Sequence, residues 1–92
     1  MKETYNTTRI FIEESDVAEV IRRSDICFQW EDVFYVERYE GRAFENEGDI
    51  TIVRMYANGE SLCITQSYET ISKLFSQYRQ EKSNTNFYKN QN

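Results

Sequence analysis

The apolar residues of this 92-residue chain are poorly suited to a helical bundle: two leucines stand against eight isoleucines, five valines and fourteen aromatics. β-branched and aromatic side chains fit a pleated, half-buried surface. A sheet-dominated core with few helices follows.

The pattern places the elements. Residues 7–12 (Thr-Thr-Arg-Ile-Phe-Ile) read as a short strand. Ser15 then reads as an N-cap, with Asp16 and Glu19 in a first turn and Val17, Val20 and Ile21 at i, i+3, i+4, which predicts a short helix over 15–23. Residues 26–39 read as one long strand, with Ile26, Phe28, Trp30, Phe34 and Val36 on the core side and a bend at Glu31-Asp32. Residues 40–48 read as a polar loop. Asn58-Gly59 suits a type I′ turn, so 49–57 and 60–66 should pair as a hairpin, Met55 opposite Leu62 and Val53 opposite Ile64. One hairpin face is then Val53, Met55, Leu62 and Ile64. The other also carries apolar groups, Ile50, Ile52 and Cys63, so both faces need a cover. Ser67 caps a second helix whose stripe is Tyr68, Ile71, Leu74, Phe75 and Tyr78. The expected fold is α+β, about four mainly antiparallel strands with one short and one longer helix, in the order β-α-β-β-β-α. A single domain over 1–82 precedes a polar tail, 83–92, without periodicity and expected to be flexible.

Composition removes several functions. The chain has no histidine, so no Ser–His–Asp or Cys–His nucleophile and no histidine-bearing zinc site is available. Three glycines cannot build a Gly-rich phosphate loop. Cys27 and Cys63 read as reduced, structural thiols, with Arg54 beside Cys63 in the expected register. Glu13-Glu14-Asp16 and Glu45/Glu47/Asp49 lack calcium-loop spacing. No cofactor and no metal is expected, nor catalysis. There is no long apolar run and no apolar leader, so a cytoplasmic location and no membrane partner are expected.

Charge supplies the positive lead. Net charge is −5, and residues 1–49 hold thirteen acids against six bases. A surface of this sign repels phosphate, so direct nucleic-acid binding is not expected. Glu31, Asp32, Glu37, Glu40, Glu45, Glu47 and Asp49, with Tyr35 and Tyr39 as rim aromatics, form the candidate surface for a larger basic protein or nucleoprotein complex. In size and charge the chain is similar to small phage or mobile-element inhibitors of host defence, of the anti-CRISPR kind, and that analogy implies an inhibitor. The alternative is an oligomer, a homodimer at its simplest, capturing a nucleotide-like ligand between subunits through Arg22, Arg23, Arg38, Arg42 and Arg54.

Over about a quarter of its length, Ile50 to Ile71, the chain also resembles small flagellar and motility proteins in its strand, Asn-Gly turn, strand and Ser-x-Glu helix start. Those features are hairpin and cap chemistry, and no function is carried over from them.

Overall fold

Residues 15–23 pair as strand and turn where the sequence predicts a helix. In the computed structural model, which describes residues 4–56 and 59–91 with side chains through Lys82, β1 (Thr4–Glu14) and β2 (Glu19–Gln29) pair antiparallel from Thr4↔Gln29 to Glu14↔Glu19. Ser15 is a turn residue, not an N-cap. Its N–H donates to Ala18 O at 3.0 Å, and its Oγ accepts from the Ala18 N–H at 3.2 Å. An apolar triad over two turns is too little to sustain an isolated helix, and cross-strand pairing outweighs it.

A single 3-10 turn, Trp30–Asp32, links β2 to β3 (Val33–Arg38); β4 (Thr51–Met55), β5 (Ser61–Ile64) and α1 (Tyr68–Gln91) follow. The fold is α+β, with one antiparallel five-stranded sheet in the order β2-β1-β5-β4-β3 and one helix. Among the described residues it has one strand more and one helix fewer than expected. The expected bend at Glu31-Asp32 occurs, but it separates two strands that lie at opposite edges of the sheet. Flat, five strands would set those edges about 19 Å apart. Gln29 and Val33 are four residue steps apart, at most about 14 Å. The sheet must therefore curl.

The 3-10 turn also shifts the side-chain phase. Val33 is buried, and β3 pairs with β4 through an irregularity between Val33 and Tyr35, at Phe34. Phe34, expected inside, is 53% exposed.

β4 and β5 form the expected hairpin in a register shifted by two, with Val53 opposite Leu62 and Ile52 opposite Cys63. A two-residue shift preserves side-chain parity, so Val53, Leu62 and Ile64 are all buried on one face as the pattern requires. Asn58 of the expected turn lies outside the described residues. Ser67 caps α1: its Oγ accepts from the Thr70 N–H at 3.2 Å. Ile71 and Phe75 sink into a core with Phe28, Trp30, Val33, Val53, Leu62 and Ile64, while Leu74 and Tyr78 flank it. The backbone of α1 continues through 83–91, the stretch that composition reads as a tail.

The opposite face is covered by the chain itself. The 39–50 loop, polar in composition, buries Phe44 and Ile50 beside Ile10, with Tyr39, Ile21 and Cys63 packed around them. Its Glu47 pairs with Arg23 on β2. From β4 that is three strand spacings, about 14 Å, so the loop is a strap across the sheet. Gly41 passes so close under Tyr39 that a Cβ there would lie 2.6 Å from the ring hydroxyl, and Gly48 has φ +88°.

Candidate partner-binding surface

The nine acidic-surface candidates fall into two groups and one outlier. Tyr39, Glu40, Glu45 and Asp49 sit on the strap and line a cleft of about 420 Å³ together with Arg38 and Glu69. Tyr39 is not a rim aromatic. It is half-buried against Phe44, ring centroids 5.4 Å apart, and serves the second core. Glu40, Glu45 and Asp49 are exposed. Among the described residues no three carboxylate or thiol groups converge tightly enough to hold a metal ion. The cleft presents negative charge over a broad area rather than at one point. Glu47 is the outlier, facing away to Arg23 and half-buried there.

Glu31, Asp32, Tyr35 and Glu37 form the second group, on β3 and the turn before it. Glu31 and Asp32 lie on the 3-10 turn, and the Asp32 carbonyl accepts from the Tyr56 N–H at 3.0 Å. That bond draws Tyr56 beside β3. Phe34, pushed outward by the irregular pairing, stacks on Tyr56 at 4.9 Å and meets Tyr35 edge-on at 5.1 Å. Tyr35 is 41% exposed and Tyr56 64%. Sequence reasoning named Tyr35 and missed Phe34 and Tyr56. Alternation put Phe34 inside, and only the phase shift at the 3-10 turn moves it out.

Glu37 faces Arg54, which donates to its Oε1 at 3.0 Å and also reaches the Ser61 hydroxyl. The hydrogen bond that Arg54 donates to the Glu37 carboxylate raises the Arg54 pKa. Arg54 is thus a fixed charge that orients Glu37. It lies opposite Ser61, not Cys63. Burial pushes the Cys63 thiol up and outweighs the opposing charges of Arg54 and Arg9.

The arginines proposed for a ligand are spread out. Arg22 pairs with Glu13 at 3.1 Å, Arg23 with Glu47, Arg38 with Glu69 at 2.9 Å and Arg54 with Glu37. Arg22 and Arg23 alternate across β2, Arg38 and Arg54 lie on adjacent strands at the far edge, and Arg42 is in the strap. The structure does not gather them into one pocket. Arg38 also lies over the Tyr68 ring at 4.3 Å, which pins the start of α1 beside β3.

Among the described residues, no helix is long and apolar enough to cross a membrane. Comparison with protein-family models, curated proteins and solved structures finds no match.

Proposed function

We propose that this chain is a non-enzymatic binding protein, an inhibitor or accessory factor, that docks on a larger basic macromolecular partner. The observation that carries the reading is the solvent-facing trio in which Phe34 packs against both Tyr35 and Tyr56, beside the acidic Glu31, Asp32 and Glu37. Three large rings in contact outside the core contribute little to folding, and such patches mark interaction sites. Aromatic anchors within a charged rim match the usual arrangement of binding energy at interfaces. Acids beside ring faces favour arginine and lysine, through ion pairs and cation–π contact. The acid-lined cleft at the strap widens the negative field and would speed encounter with a basic partner.

Native mass spectrometry of the protein purified gently from its own cells tests this. The expected species is the 11.1 kDa chain bound to a larger basic protein. That complex should be lost in the double variant Phe34→Ser/Tyr56→Ser and kept in Glu47→Gln. A multiple of the chain mass carrying a few hundred extra daltons per subunit would instead mean ligand capture between subunits and overturn the proposal.

A further inference from the structure

The open edge of β3 is more than a surface beside the aromatic trio. β3 ends the sheet, so outside the irregularity at Phe34 alternate backbone N–H and C=O groups along β3 point away from β4, and among the described residues no strand receives them. A groove of about 420 Å³ lies at the C-terminal half of this edge, lined by Val36, Glu37, Arg38, Glu40 and, from the first turn of α1, Tyr68. The Arg38–Glu69 ion pair and the Arg38–Tyr68 stacking hold the helix start in place as the far wall. We infer that β3 receives an extended, basic–apolar alternating segment of the partner as a sixth strand in this groove. The inference rests on the basic-partner reading above and specifies how that partner is held.

The alternation follows from pleating. Side chains of an added strand point by turns to the two faces of the sheet. Those on the side of Tyr35 and Glu37 meet a ring and a carboxylate, with Glu40 at the end of the groove. Arginine or lysine suits these positions. Those on the side of Val36 meet its aliphatic side chain and the stack of Arg38 on Tyr68, and a branched aliphatic side chain suits the position against Val36. Main-chain hydrogen bonds to the edge supply affinity without regard to sequence, while the alternating surroundings supply selectivity. Phe34 and Tyr56, at the beginning of the edge, form a platform for the side chain entering or leaving the groove.

The test uses the whole protein, amide hydrogen exchange followed by NMR, and three synthetic octapeptides at low salt. These are four arginine–valine repeats, four arginine–glycine repeats with the same charge and low strand propensity, and four glutamate–valine repeats. The arginine–valine peptide should slow exchange of the outward amides within residues 34–38 by about tenfold or more and bind about tenfold more tightly than the arginine–glycine peptide, a difference of about 1.4 kcal/mol. The glutamate–valine peptide should not bind. If both basic peptides bind equally and the β3 amides stay unprotected, strand addition is wrong while docking of a basic partner stands. If neither basic peptide binds, both fall together. Protection of β3 that rises with protein concentration alone would assign the edge to a second copy of this chain and overturn the inference.

Discussion

β2 and β3 lie at opposite edges of one sheet, only three residues apart in the chain, and their outer margins differ in kind. β2 is eleven residues long and sets Glu19, Arg22, Arg23 and Asp25 along its exposed half, two of them held in ion pairs to Glu13 and Glu47. β3 is six residues long, has no charge from Val33 through Val36, and shows Phe34 and Tyr35 to solvent. Charged side chains blunt an edge against pairing with another chain. One edge of this sheet is guarded in that way and the other is left receptive. The two margins also differ in backbone, since β2 pairs in unbroken register while β3 is interrupted between Val33 and Tyr35.

The residue that joins the two edges should be the most sensitive in the molecule. Trp30 is 5% exposed and touches Tyr5, Phe28 and Phe75, with ring centroids 5.2, 5.2 and 6.1 Å away. Trp30→Ala should cost about 3–5 kcal/mol, from a total of about 5–14 kcal/mol for a domain of this length. Urea unfolding followed by circular dichroism reads it. A loss under about 1 kcal/mol would mean that the curl of the sheet does not depend on this ring.

The exposed aromatics should separate binding from stability. Phe34→Ser/Tyr56→Ser is expected to weaken partner binding by about 2 kcal/mol, some thirtyfold, while the urea midpoint moves far less than in the Trp30 variant. A midpoint that falls as far as it does for Trp30→Ala would show that the trio belongs to the core. The comparison between edges would then rest on β3's backbone alone. The converse change is Arg22→Val, which removes one guard from β2. The exposed Arg22–Glu13 pair is worth about 0–1 kcal/mol, so stability should hardly change. Self-association in sedimentation velocity should rise. If it stays at the wild-type level, charge is not what guards that margin.

How much of this was legible follows from periodicity. The stripe on α1 and the parity of the β4–β5 faces survive, because Ile71, Phe75, Val53, Leu62 and Ile64 need only the right repeat and not the right partner. Val17, Val20 and Ile21 fit a helix and a turn-plus-strand equally well over so few residues, and the pairing with β1 that decides between them is invisible locally. At the site, Tyr35, Glu31 and Asp32 were accessible to composition and alternation. Phe34 and Tyr56 were not, since one depends on a three-residue 3-10 turn resetting the phase and the other on a backbone bond to the turn before the neighbouring strand. The strap misled for a related reason: a single Phe44 among polar neighbours carries no period, yet it anchors the loop over Ile10.

The smallest effect tests what keeps the β3 groove in shape. Glu69 is the acidic residue in the first turn of α1, and its carboxyl is held below the usual carboxylate range, first by its own backbone N–H and then by the Arg38 guanidinium at 2.9 Å. A carboxylate with a folded pKa below its unfolded value, about 4.3 for Glu, adds stability that is fully present above that unfolded value. The contribution fades as pH falls through the folded value, where the proton binds in both states. Glu69→Gln should therefore be slightly less stable than wild type at pH 6, and the gap between their urea midpoints should narrow below about pH 4.3 and close at still lower pH. Arg38→Gln should reduce the same gap at pH 6 without abolishing it, because the backbone N–H remains. A gap that is constant from pH 6 downward would mean that Glu69 acts through packing rather than charge. In that case the Arg38 clamp is not what fixes the helix beside β3, and the far wall of the groove must be held by the stacking of Arg38 on Tyr68 alone.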